Sequence, residues 1–178
     1  IFIGLTQLFI KYGFFSAIGI DVVLTNFQFA LLVLATVSIA AAGNVINDIY
    51  DVHGDLINKP DKIIIGEKIS EKNAYTIFII LNVIGVFSGF LLSNTIGKPG
   101  FAAVFIIISA LLYLYASMIK GILLVGNILI STLIALSILI VGVFDVLPAV
   151  DASNVDNQIV AMKVITHYAC FAFFINLI

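Results

Sequence analysis

Long apolar segments alternate with short polar stretches along this 178-residue chain. Because about 20 consecutive apolar residues cross a bilayer as a helix, each long segment predicts a membrane span or a near-span. We place six such segments at residues 1–17, 24–49, 73–93, 100–118, 122–144 and 159–178. The pattern therefore predicts an all-helical, polytopic transmembrane bundle.

The two ends of the chain carry few of the signals that usually bound a membrane protein. The first segment begins without an initiating Met or a charged flank, and the last runs apolar to Ile178 without a cap. We therefore expect residues 1–178 to form a single membrane domain that is incomplete at both ends.

Composition supports the membrane prediction and excludes several classes of function. Hydrophobic residues make up 62% of the chain and charged residues 10%, whereas a soluble domain carries about 25% charged residues. The net charge of −2 does not suggest a nucleic-acid partner. All eight cationic residues are Lys, so a bound anion must be held by Lys, backbone or a metal ion.

The lysines are distributed unevenly among the predicted loops. The loops after the second and fourth spans carry Lys59, Lys62, Lys68, Lys72 and Lys120. The opposite side carries Lys98 and Lys163 beside an acidic loop, and Lys11 lies too deep in the first segment to assign. Because short cytoplasmic loops are enriched in Lys and Arg, we expect a multi-pass protein of an inner or plasma membrane, with the polar end of the second span facing the cytoplasm.

That polar end carries amides and carboxylates at helical spacing. Asn44, Asp48, Asp51 and Asp55 are separated by four, three and four residues, and Asn47 lies one turn before Asp51. A charged residue within a span costs about 2.5–3.5 kcal/mol, so this stripe of one helix face calls for a partner. Hard oxygen ligands of this kind suit Mg²⁺, and we predict that Asp48, Asp51 and Asp55 bind it.

Three stretches of the chain resemble those of a known family. Residues 47–55, Asn-Asp-Ile-Tyr-Asp-Val-His-Gly-Asp, resemble the first Asp-rich motif of the UbiA-type intramembrane prenyltransferases. Residues 58–62, Asn-Lys-Pro-Asp-Lys, are similar to the segment that follows that motif, with Lys in place of two Arg. Residues 115–120, Tyr-Ala-Ser-Met-Ile-Lys, are similar to the family's Tyr-Ser-x-x-Leu-Lys stretch, with Ala116 in place of Ser.

The resemblance implies a nine-span bundle with a second Asp-rich motif after the sixth span, which is about where this chain stops. It also implies an Arg-Pro-x-Asn element in the first span, which this chain lacks. We therefore expect the chain to be the amino-terminal part of such a bundle, holding one of two metal sites and inactive alone.

The activity that the resemblance implies is Mg²⁺-dependent transfer of a prenyl group from a polyprenyl diphosphate to a lipophilic acceptor. Catalysis would involve Lys62 and Lys120, which would neutralise the leaving diphosphate, and Tyr115, whose ring would stabilise an allylic cation. The residues that we expect to bind substrate are Asn44, Asn47, Tyr113 and Asn127.

The sequence leaves the acceptor and two other functions open. The chain most resembles members that act on geranylgeranylglyceryl phosphate, although members that prenylate aromatic quinone precursors have nearly the same first motif. The length of the donor chain and the oligomeric state are not indicated. A secondary transporter could instead use Asp48 and Asp51 as cation or proton sites, and a non-catalytic lipid-binding subunit is a third reading.

Overall fold

The computed structural model describes residues 1–58, 64–122 and 124–177, with the side chains of His53, Asp55, Ile57 and Asn58 outside the description. These residues form six α-helices: α1 (Phe2–Leu8), α2 (Asn26–Asn58), α3 (Glu71–Thr95), α4 (Ala102–Leu114), α5 (Val125–Val141) and α6 (Val155–Leu177). The predicted all-helical class is confirmed.

Three of the helices continue into π-helical turns that the apolar pattern did not predict. These turns are Phe9–Phe15 after α1, Tyr115–Ile119 after α4 and Gly142–Val146 after α5. Five helical stretches of the described residues are long and apolar enough to cross a membrane: Asn26–Val52, Glu71–Thr95, Pro99–Ile119, Val125–Ala149 and Val155–Leu177. The first helical stretch, Phe2–Phe15, is shorter than the roughly 20 residues that a span requires.

Contacts between residues divide the chain into two compact units. The first unit comprises Ile1–Val33 and Leu123–Ile178, and the second comprises Leu34–Ile122. The boundary between them falls within α2. That the whole chain forms a single membrane domain stays a prediction.

In the first unit, the π-helical turn after α5 approaches α6 closely at a glycine. A Cβ on Gly142 would lie 2.6 Å from the Met162 sulfur, so only a glycine allows this approach without rearrangement. On the facing side of α6, Ala161, Ile165 and Ala169 are almost fully buried. Their spacing of four residues places them on one stripe of the helix, which the sequence pattern alone did not distinguish from the lipid-facing side.

A buried charged pair joins the first helical stretch to the end of the α5 region in the same unit. The Lys11 ammonium donates hydrogen bonds to Asp145 Oδ2 at 2.7 Å and to the Leu24 carbonyl at 2.8 Å. The Leu24 amide in turn donates to Asp145 Oδ1 at 2.7 Å. With side chains 5% and 0% exposed, Lys11 and Asp145 are removed from both water and lipid. Each charge is therefore compensated inside the protein.

In the second unit, glycines of α3 allow α2 and α4 to pack against it. A Cβ on Gly85 would lie 2.6 Å from the Ile39 side chain of α2, and one on Gly89 would lie 2.3 Å from the Phe105 ring of α4. Between α3 and α4, the Ser109 hydroxyl donates a hydrogen bond to Asn82 Oδ1. Close packing at these glycines and a part-buried hydrogen bond thus join α3 to its neighbours in this unit.

One hydrophobic cluster holds the polar end of α2 in place. Its buried members are Ile46, Ile49, Ile65, Ala74 and Ala116. They come from α2, from the turn before α3, from the first turn of α3 and from the π-helical turn after α4. The cluster therefore fixes the four segments that surround the candidate site.

Candidate functional site

The register of α2 determines which side chains reach the site. Ile46 and Ile49 are buried in the cluster, at 0% and 8% exposure. At about 100° per residue, Asn47, Asp48 and Asp51 then point away from the cluster on a shared face. For these three residues, the shared helical face predicted from the spacing is therefore present in α2.

Asp51 is the centre of the contacts at this face. The Asn47 amide donates a hydrogen bond to Asp51 Oδ2 at 2.7 Å, within one turn of α2. The Lys120 ammonium forms an ion pair with Asp51 Oδ1. The two side chains of the ion pair are partly exposed, at 26% for Lys120 and 38% for Asp51. Both oxygens of the Asp51 carboxylate therefore have a protein partner.

The π-helical turn Tyr115–Ile119 brings Lys120 to this position. Ala116 is 1% exposed within the hydrophobic cluster, so the turn is anchored on the same residues that anchor α2. The Lys120 amide donates to the Tyr115 carbonyl at 3.0 Å, which is the hydrogen bond that closes the π turn. The extra residue of a π turn changes the direction of every side chain that follows. The small side chain of Ala116 allows this turn to pack closely against α2.

An aromatic cluster joins α2, α3 and α4. The hydroxyl oxygens of Tyr50 and Tyr113 are 3.3 Å apart, and their rings meet edge to face at 6.3 Å. Phe78 lies on the other side, with its ring centre 6.2 Å from that of Tyr113. Tyr113 was predicted as a site residue and Tyr50 was not, although Tyr50 lies inside the motif next to Asp51.

The remaining predicted site residues are distributed as follows. Asn44 is exposed on α2, four residues before Asp48. Tyr115 lies in the π turn and is half-buried. Asn127 is exposed near the start of α5 and belongs to the first unit. Lys62 and the side chain of Asp55 lie outside the described residues. The roles predicted for these five residues, like those of Asn47, Asp48, Asp51, Tyr113 and Lys120, stay predictions.

The donor atoms of this face fit a hard divalent cation. Asp48 and Asp51 supply two carboxylates one helical turn apart, and Asn47 supplies an amide oxygen beside them. Mg²⁺ commonly binds one or two carboxylates and completes its shell with water and substrate phosphate. Among the described side chains, no group of three or more His, Cys, Asp or Glu is close enough to hold a metal.

Comparison with known proteins finds a matching family and several similar proteins. A profile of the UbiA prenyltransferase family matches residues 8–177. A digeranylgeranylglyceryl phosphate synthase of Methanobrevibacter smithii is 35% identical over 112 residues, which cover 63% of this chain and 40% of the relative. The corresponding synthase of Saccharolobus solfataricus is 37% identical over 134 residues, which cover 75% of this chain and 43% of the relative.

A third relative matches a similar share of this chain. The digeranylgeranylglyceryl phosphate synthase of Methanothermobacter thermautotrophicus is 38% identical over 120 residues, or 66% of this chain and 41% of the relative. The chain thus spans about two fifths of the length of the curated relatives it matches. No solved structure matches it significantly. Since the family profile covers almost the entire chain, this protein belongs to the UbiA prenyltransferase family.

Proposed function

We propose that this chain takes part in the Mg²⁺-dependent transfer of a prenyl group from a polyprenyl diphosphate to a lipophilic acceptor within the membrane. The observation that carries the proposal is the meeting of Asn47, Asp51 and Lys120 at the polar end of an apolar helix. Oxygen ligands and an ammonium at one point suit a substrate that combines a diphosphate head with a hydrocarbon tail.

The proposed metal ligands are Asp48 and Asp51, with Asp55 one turn further along α2. When bound, Mg²⁺ neutralises the charge that develops on the diphosphate oxygens, and members of this family generally require it. The Asn47 amide orients the Asp51 carboxylate through their hydrogen bond of 2.7 Å. In this assignment α2 supplies a rigid platform for the diphosphate head.

The chemical step breaks one C–O bond and forms another. The bond between the allylic carbon and the diphosphate breaks, and its electron pair leaves with the diphosphate. An acceptor hydroxyl oxygen then bonds to the allylic carbon, and its proton passes to the released diphosphate. The ammonium groups of Lys120 and Lys62 would balance the charge of the leaving group. The rings of Tyr113 and Tyr115 would stabilise the cation, an effect worth about 2 kcal/mol when the site is desolvated.

For the acceptor we propose geranylgeranylglyceryl phosphate or a close analogue. The support comes from the matched relatives, which carry the name digeranylgeranylglyceryl phosphate synthase. We further propose that the site faces the cytoplasm, because Lys68, Lys72 and Lys120 flank the membrane spans on this side. Asn44 and Asn127 would contribute to substrate binding.

A prenyl-transfer assay on the full-length product of the gene tests the proposal. Membranes that contain the protein are supplied with radiolabelled geranylgeranyl diphosphate and, separately, with geranylgeranylglyceryl phosphate or 4-hydroxybenzoate. We expect labelled product with the first acceptor only. Product with the aromatic acceptor alone would move the assignment to quinone precursors. Solute uptake into proteoliposomes without any transfer would support the transporter instead.

A further inference from the structure

The two oxygens of the Asp51 carboxylate have different kinds of partner. Oδ2 accepts from the Asn47 amide on the same helix, whereas Oδ1 is paired with the Lys120 ammonium from a different segment. We propose that Lys120 and a divalent cation compete for Oδ1 while Asn47 holds Oδ2 in place. This inference rests on the proposed function, because it concerns the cation of that same site.

Asn47 is a positioning residue in this scheme. Asn47 and Asp51 lie four residues apart on a continuous helix, which keeps their side chains neighbours, and the Asn47 amide donates to Asp51 Oδ2 at 2.7 Å. With Oδ2 held in this way, the carboxylate cannot rotate freely about its χ2 angle. Oδ1 then points in one direction, toward the space that the Lys120 ammonium occupies. The same direction is the one from which a cation would bind.

Lys120 is able to leave this space without disturbing the fold. Its backbone is fixed by the π turn, through the hydrogen bond of 3.0 Å to the Tyr115 carbonyl. Its side chain is 26% exposed, so the ammonium can swing on its flexible stem toward the open side. The ion pair with Asp51 is therefore the contact that binding of a cation would replace.

Electrostatics make the two partners mutually exclusive. An ammonium and a divalent cation that shared one carboxylate oxygen would repel each other at a few ångströms, where like charges interact strongly. Binding of the cation therefore displaces the ammonium from Oδ1. The displaced ammonium remains tethered beside the cation, in the region where the diphosphate of the proposed donor would lie. One substitution should thus change cation affinity and transfer activity in opposite directions.

The size of the effect follows from the exposure of the pair. Partly exposed ion pairs are worth little, so removing the competitor should tighten cation binding by about two- to fivefold. The direction of the change in cation affinity is more informative than its size. A substitution that merely damaged the site would weaken binding, whereas loss of a competitor strengthens it.

Binding of Mn²⁺ to the full-length product in detergent, without donor, tests the proposal. Free Mn²⁺ is followed by electron paramagnetic resonance for the wild type, Lys120→Gln, Lys120→Arg and Asn47→Ala. We expect tighter binding in Lys120→Gln, wild-type binding in Lys120→Arg and weaker binding in Asn47→Ala. Lys72→Gln is the matched control, since it removes an exposed charge near the start of α3. It should bind Mn²⁺ like the wild type.

The outcomes separate this inference from the proposed function. Equal affinity in Lys120→Gln and the wild type would overturn the competition while leaving Mg²⁺-dependent transfer intact. The same tightening in Lys72→Gln would also overturn it, because the effect would then come from net charge. Absence of binding in every variant, including the wild type, would overturn both the inference and the metal site. Tighter Mn²⁺ binding together with slower prenyl transfer in Lys120→Gln is the result that supports competition between Lys120 and the cation.

Discussion

Replacing Lys11 with Met should strongly destabilise the first unit, because it leaves the Asp145 carboxylate buried without its cation. The Asp145 side chain is 0% exposed, and its Oδ2 lies 2.7 Å from the Lys11 ammonium. An uncompensated charge at such a position cannot be solvated by water or by lipid. The carboxylate then stays buried without its cation, which costs free energy.

The expected magnitude is about 3–5 kcal/mol, the usual cost of removing one partner of a buried pair. The double substitution Lys11→Met with Asp145→Leu removes both charges and should be less harmful. It leaves the Leu24 amide and carbonyl without the partners they have at 2.7 and 2.8 Å. Each of those losses costs about 1 kcal/mol, so the double variant should lose about 2 kcal/mol in all.

The free energy of unfolding can be measured by circular dichroism as the protein is moved into micelles with a rising fraction of dodecyl sulfate. Lys163→Met is the matched control, since Lys163 is an exposed lysine of α6 in the same unit. It should change stability by less than about 0.5 kcal/mol. A Lys11→Met variant that behaves like this control, or a double variant no more stable than Lys11→Met, would refute the stabilising role of the buried pair.

Three further predictions concern the second unit and its site. Gly89→Ala should destabilise the protein by about 1–3 kcal/mol in the same unfolding assay, because the new Cβ would lie 2.3 Å from the Phe105 ring. Gly100→Ala, whose Cβ would meet nothing within 4 Å, is its control. Ala116→Leu should overfill the hydrophobic cluster and move Lys120. Prenyl transfer at saturating donor should then fall by about tenfold. Unchanged transfer would contradict the role of the π turn in placing Lys120. Removal of Mg²⁺ with EDTA should abolish transfer, and added Mg²⁺ should restore it; transfer that persists in EDTA would exclude the metal site.

The fold class and part of the site could be predicted because they depend on local periodicity. Apolar length alone predicts membrane helices, and spacings of three and four residues place Asn47, Asp48 and Asp51 on one face of α2. The hydrogen bond of 2.7 Å between Asn47 and Asp51 is the direct consequence of that spacing. Family membership followed from the same motif in its membrane context.

Contacts between distant residues could not be predicted in this way. Nothing local indicates that Lys120 would pair with Asp51, 69 residues earlier, or that Lys11 would meet Asp145, 134 residues later. The π turns were not predicted either, because one extra residue in a turn leaves the apolar pattern almost unchanged. Tyr50 was missed because an aromatic residue at the end of a span is usually an interfacial anchor.

The central claim is that Asp51 belongs to a diphosphate site, and prenyl transfer by Asp51→Asn tests it most directly. The asparagine keeps the size of the side chain but loses the charge. Transfer from labelled geranylgeranyl diphosphate is compared in the full-length wild type, Asp51→Asn and Asp151→Asn, whose exposed carboxylate lies in the other unit. We predict a loss on the order of a hundredfold in Asp51→Asn and none in Asp151→Asn. Wild-type transfer by Asp51→Asn would contradict the account.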